Sequence, residues 1–182
     1  LSFLEILTRT IPQRAELLRR CQDSLTLLKD TDWTQRVIID TECRGVAWAN
    51  RNYSTIEAVG EWVWLLDDDD LCSNADLIGI LRKHIAAQKP EAILMRAYHG
   101  KWGLLPPAEN WGERPILGRI GPSCLVVRGD IWNQYRDEWV EAYAGDFWFI
   151  NALWNAGVRF AWLPVVAAYQ PTQNYGAVND AR

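Results

Sequence analysis

Histidine is almost missing from this chain: His84 and His99 are the only two in 182 residues. The four cysteines, Cys21, Cys43, Cys72 and Cys124, show no CxxC spacing. A structural zinc site is therefore not expected, and at this length the cysteines do not indicate a disulfide framework. The expected compartment is reducing and cytoplasmic. Net positive charge is lacking as well. A formal charge of −4 argues against binding a phosphate backbone through bulk charge, so no nucleic-acid partner is expected. A local basic pocket for a phosphorylated small molecule remains open. No signal-peptide pattern is visible, and no uncharged run is long enough to span a bilayer. No internal repeat or low-complexity tract is present.

What is there suits one α/β domain spanning 1–182. A hydrophobic fraction of 49% supports a sizeable core. Strand and helix patterns alternate. Residues 3–7 read as a strand ending in Thr8, Arg9 and Thr10. Ile11 and Pro12 open a helix to about Lys29, with Leu17, Leu18, Cys21, Leu25 and Leu28 at helical spacing. A second strand, 36–39, ends at Asp40 and Thr41. Residues 45–59 read as a helix stopped by Gly60, 62–66 as a strand, and 75–88 as a helix capped by Asn74. A fourth strand covers 92–97. Residues 98–121 are loop-like and rich in Gly and Pro. A strand at 122–127, a helix from Asp130, a helix from Gly145 to Ala156 and a strand at 159–163 follow. A polar, turn-rich tail is expected beyond Pro164. The pattern predicts a mainly parallel sheet with helices on both faces and a smaller mixed-sheet part.

The most informative feature is the run Asp67, Asp68, Asp69, Asp70 directly after the apolar strand. Carboxylates that close repel, and none is buried unpaired without a large cost. A hard divalent cation resolves the conflict, because carboxylate oxygens suit Mg²⁺, Mn²⁺ or Ca²⁺. While the chain stays extended, Asp67 and Asp69 share one side and Asp68 and Asp70 the other. Polar groups also follow the first two strands. In a parallel sheet the carboxyl ends lie together, so all three groups are expected to converge on one crevice. There an Asp can accept from a base imide N–H of the kind uracil offers, and an Arg can serve phosphate.

At this point the chain resembles the GT-A glycosyltransferases, family 2 type. Six stretches carry the likeness: 6–10 (ILTRT), 37–40 (VIID), 49–52 (ANRN), 58–70 (AVGEWVWLLDDDD), 121–128 (GPSCLVVR) and Gly145-Asp146. The resemblance implies the GT-A fold, with a nucleotide-sugar half at 1–97 and an acceptor-side half at 98–182. It implies inverting transfer of a sugar from a nucleotide-diphosphate donor, a UDP-sugar favoured, to a hydroxyl acceptor that is itself a saccharide. Thr8, Arg9, Thr10, Asp40, Arg51, Asn52, Asp67 and Asp68 then belong to the donor site. Asp67, Asp69 and Asp70 hold Mn²⁺ or Mg²⁺ as a DxD-type motif, and Asp146 is the general base.

Two features depart from the family pattern. Gly145 stands where a second acid often precedes the base. No His follows the last strand, so either the Gln170 carbonyl or a water completes that position. The QxxRW motif of processive members is absent. Two other classes fit less well. A nucleotidyltransferase would show a Gly-rich loop after the first strand, and a receiver domain an acidic pair there; Thr8-Arg9-Thr10 offers neither. A sugar-nucleotide or glycan binding module without turnover is the remaining alternative. Trp102 and Trp111 lie in the irregular loop, where an exposed indole can stack on a sugar ring.

Overall fold

The computed structural model describes residues 1–171. The chain forms β1 (Leu4–Thr10), α1 (Ala15–Leu25), β2 (Trp33–Ile39), α2 (Val46–Asn52), β3 (Trp62–Leu65), β4 (Leu71–Cys72), α3 (Leu77–Gln88), β5 (Ala92–His99), β6 (Gly103–Leu105), β7 (Leu125–Arg128), α4 (Gly129–Tyr135), α5 (Gly145–Asn155) and β8 (Phe160–Gln170). The strands make one eight-stranded sheet in the order β2-β1-β3-β7-β5-β8-β4, with β6 paired to β5 outside that path. β1 runs parallel to β2 and β3, and β5 parallel to β8. β7 lies antiparallel between β3 and β5, so β1, β2, β3, β5 and β8 all point the same way. The result is the expected mainly parallel α/β sheet with a small mixed part.

The period-2 alternation of the strands divides the core into two layers. Leu7, Val63, Leu65, Leu94, Leu125 and Val127 face one way, against Tyr53, Trp132, Trp139 and Phe149 from α4, α5 and the segments beside them. Leu4, Ile6, Trp62, Trp64, Ile93 and Val126 face the other way, against Cys21 and Leu25 of α1 and Leu77, Ile78 and Leu81 of α3. Helices therefore cover both faces, as expected. Trp62, Trp64, Trp132 and Trp139 are core residues, while Trp33 and Trp48 are half-buried. No helix among the described residues is long and apolar enough to cross a membrane.

Several element boundaries differ from the expectations, each for a local reason. β1 continues through Thr8, Arg9 and Thr10, because Thr10 still pairs with Ile39. Residues 45–59 are not one helix. α2 ends at Asn52, where the Ser54 and Thr55 hydroxyls turn back to the carbonyls of Arg51 and Asn52, both at 2.8 Å. Residues 122–124 form a 3₁₀ turn ahead of the strand, and the loop 98–121 contains β6. The largest difference is β8, which runs past Pro164 to Gln170. The β5–β8 register shifts between Leu94 and Arg96, and that irregularity accommodates a proline with no amide to donate. The expected polar tail is thus strand up to Gln170, and its remainder, 172–182, lies outside the described residues.

Candidate active site

The ends of β1, β3 and β8 deliver their side chains to one crevice. Arg9, the penultimate residue of β1, clamps Asp67 in a bidentate pair, Nε to Oδ1 at 2.8 Å and Nη2 to Oδ2 at 3.0 Å. Burial works against the Arg9 charge, but Asp67 more than offsets it and holds the guanidinium cationic. Arg9 Nη1 also donates to Asn50 Oδ1. Asn50 is buried on α2, and its amide reaches across to the carbonyls of Ala142 (2.8 Å) and Tyr143 (3.1 Å), just ahead of α5. Asn50 therefore ties the β1 end to the helix that carries Asp146. The packing also accounts for Gly145: a Cβ there would lie 2.6 Å from the Asn50 Cβ. A second acid before Asp146 would collide with Asn50.

The four aspartates do not alternate as an extended chain would place them. β3 ends at Leu65, and the Asp70 amide donates to the Asp67 carbonyl at 3.0 Å, closing a turn. Each carboxylate then finds its own partner. Asp68 accepts from the Thr10 hydroxyl at 2.6 Å and pairs with Arg14 at 3.1 Å. Asp69 pairs with Arg14 at 2.9 Å and accepts from Gln170 Nε2 at 3.0 Å. Asp70 turns inward to the Ser123 hydroxyl. Three of the carboxylates thus share two guanidinium groups while Asp70 has none, and Asp68, Asp69 and Asp70 are all raised above the ordinary carboxylate value, with burial the first cause. Burial pushes the Asp68 carboxyl up to about 7, with Arg14 and Thr10 opposing. Burial, then the neighbouring acids Asp69 and Asp67, push Asp70 well up. Asp69 is raised mainly by burial, against Arg14.

Asp146 stands in the first turn of α5. Burial lifts its carboxyl to about 6, with the Arg9 charge and the Phe147 amide pulling it down. The Tyr53 ring lies below the same region, 5.9 Å from the Arg9 guanidinium, and its buried hydroxyl has no hydrogen-bond partner.

The expected site residues separate into two sets. Arg9, Thr10, Asp67, Asp68 and Asp69 meet in the crevice, and Asp70 lies behind them against Ser123. Thr8 faces the other way, its hydroxyl accepting from Gln35 Nε2 at 2.9 Å. Arg51 donates to the Trp139 carbonyl at 2.7 Å, and the Asn52 side chain accepts from Thr55 at 3.3 Å, so α2 directs neither into the acidic cluster. Asp40 is buried and organises its own loop, accepting from the amides of Glu42 (3.2 Å) and Arg44 (2.5 Å). Arg44 in turn lies over the Trp48 ring at 3.3 Å. Trp102 is exposed, whereas Trp111 packs on Trp162 under the Arg96 guanidinium.

Arg14, Asn50, Ser123 and Gln170 complete the cluster. The sequence singled out none of the first three, although Asn50 and Ser123 lie within stretches that carry the family likeness. Gln170 stood out only by its position in place of a late His.

Among the described residues, no three His, Cys, Asp or Glu side chains form a ready-made metal group. The carboxylates point at Arg9, Arg14 and Ser123 rather than at one another. The donor set nevertheless fits a hard divalent ion. It consists of oxygens, it carries more negative than positive charge, and the Gln170 Oε1 beside Asp69 is buried with no hydrogen-bond partner.

No protein-family model and no curated protein matches the sequence. Solved structures match it well. S. aureus TarS 1-349 in complex with UDP-GlcNAc superposes with a TM-score of 0.69 at 14% identity, over 98% of this chain and 61% of that one. The mannosyltransferase PcManGT from Pyrobaculum calidifontis, in complex with GDP-Man and Mn²⁺, gives 0.62 at 13% identity, over 96% of this chain and 58% of that one. The catalytic domain of Drosophila beta1,4galactosyltransferase 7, in complex with xylobiose, gives 0.55 at 14% identity, over 89% and 65%. This chain therefore spans about three fifths of the first two neighbours. The likeness is one of fold, and the fold is of the GT-A type.

Proposed function

We propose that this chain transfers a sugar from a nucleotide-diphosphate donor to a hydroxyl acceptor with inversion, assisted by Mn²⁺ or Mg²⁺. One observation carries the reading: a GT-A-type sheet brings an acidic cluster at the β3 end and a lone carboxylate, Asp146, to the same arginine, Arg9. The solved neighbours that hold UDP-GlcNAc or GDP-Man support a nucleotide-sugar donor.

On this reading the donor side is built by residues 1–97 and the acceptor side by those beyond. Arg9, Thr10, Asp67 and Asp68 line the donor end. Asp40 and the loop it organises hold the base, a UDP-sugar being favoured. Asp67 and Asp69 would hold the divalent ion, with the Gln170 carbonyl as the third protein oxygen. The ion, when bound, supplies positive charge against the leaving diphosphate. Asp146 receives the acceptor proton as the acceptor oxygen bonds to the anomeric carbon. The bond to the diphosphate breaks with its electron pair, and a single displacement inverts the centre. A carboxyl raised to about 6 is ionised at neutral pH yet basic enough for this task. The exposed Trp102 offers the acceptor saccharide a stacking surface. Four free cysteines suit a reducing, cytoplasmic setting.

The test is Asp69→Asn. It keeps the side-chain shape but removes the charge that faces Arg14. Calorimetric titration of UDP in Mn²⁺ should show nucleotide affinity reduced by at least tenfold, with a near-native melting temperature. Unchanged affinity would remove Asp69 from the metal site.

A further inference from the structure

Arg14 occupies the position that matters most for loading the site. It closes the 3₁₀ turn Pro12–Arg14, directly after β1. Its guanidinium contacts Asp68 Oδ1 at 3.1 Å and Asp69 Oδ2 at 2.9 Å, with only 16% of the side chain exposed. Asp69 Oδ2 is the same atom that accepts from Gln170 Nε2. The Arg14 Nε–H is buried without a hydrogen-bond partner. A cation held at Asp69 would stand against this guanidinium at close range, and two positive charges that near repel. Of the two crevice arginines, Arg14 is the one with an N–H left to satisfy. Arg9, by contrast, is committed through Nε and both terminal nitrogens to Asp67 and Asn50.

We infer that Arg14 is a resident counter-ion that yields Asp69 to the divalent ion and turns onto the donor diphosphate. This rests on the metal-assisted reading above. The turn anchors the Arg14 backbone at the crevice rim, and the long side chain moves between two anionic partners without moving the fold. With the ion in place, Asp69 no longer needs the guanidinium. The diphosphate offers it planar, bidentate hydrogen bonding, including a partner for Nε. The consequence is a fixed order of affinities: Arg14 weakens metal binding to the free protein and strengthens nucleotide binding to the metal-loaded one.

Arg14→Gln separates these effects, because it keeps amide donors for Asp68 while removing the charge. Free Mn²⁺ measured by electron paramagnetic resonance should show the variant binding the ion about five- to tenfold more tightly than wild type. Calorimetry with UDP at saturating Mn²⁺ should show nucleotide affinity falling by about tenfold. Arg14→Lys, which keeps the charge, should stay close to wild type in Mn²⁺ affinity. A purely structural ion pair would predict weaker binding of both ligands in Arg14→Gln. Mn²⁺ affinity that is equal or weaker in Arg14→Gln overturns the inference and leaves the metal reading standing. Failure of wild type and variant alike to bind Mn²⁺ overturns both. The wild-type chain gives the same test without relying on the fold of the Gln variant. The Arg14 Nε–H resonance, assigned by its loss in Arg14→Lys, should shift on Mg²⁺ alone and again on adding UDP. No shift on Mg²⁺ rejects the displacement.

Discussion

Asp146→Asn should lower turnover by roughly 10²–10⁴, the usual range for a lost general base, while donor affinity holds. The same change should stabilise the protein at neutral pH. The wild-type carboxyl titrates near 6 in the fold, above its ordinary value. Between about 4 and 6 the native state therefore binds more protons than the unfolded chain, and stability falls as pH rises through that window. Above it the ionised Asp146 carries the cost of its burial, which Arg9 reduces and Asp67 adds to. Asn removes that cost, and no cap is lost, because the N-cap position of α5 is Ala144 and no side chain caps it. For a half-buried group the gain should be about 1–2 kcal/mol at pH 8, fading below pH 4. Melting curves at the two pH values check the stability. A pH–rate profile should show an acid limb near 6 that is absent from the variant. Full turnover in Asp146→Asn, or a product with retained configuration, would rule the residue out as base.

Arg9→Met should be the most destabilising single change in the site. It strips Asp67 of a bidentate partner and Asn50 of its Arg9 contact while adding no compensating donor. Breaking such a pair from one side costs about 3–5 kcal/mol, because the remaining charge stays buried and uncompensated. Adding Asp67→Asn to Arg9→Met should recover a good part of the loss. Urea unfolding of the wild type, the two single variants and the double variant measures each term. A loss below about 1 kcal/mol in Arg9→Met would mean that solvent reaches the pair freely.

The acidic run and the strand before it were legible because they are contiguous: an apolar strand followed by four carboxylates needs no tertiary information. The covering of both sheet faces was legible too, since strand and helix patterns alternate along the chain. The groups that complete the site were not, because each comes from a distant part of the chain. Asp68 and Asp69 meet Arg14 across more than fifty residues, and Asp69 meets Gln170 across about a hundred. Asn50 was hidden beside Arg51 and Asn52, equally polar on paper. Only the packing of α2 on the start of α5 shows which of them faces inward. β4 is two residues long and carries no periodicity. β8 carries a proline, an ordinary stop signal that the β5–β8 irregularity absorbs.

A thermal-shift panel of UDP-, GDP- and dTDP-sugars, each with and without Mn²⁺, addresses donor and ion together. A ligand that binds only the folded state raises its stability by mass action. One donor class, the UDP-sugars, should raise the melting midpoint by roughly 5–10 °C near a hundredfold excess over its dissociation constant, and only with the ion present. No shift with any nucleotide sugar at millimolar concentration, with or without Mn²⁺, would contradict a nucleotide-sugar transferase built on this crevice.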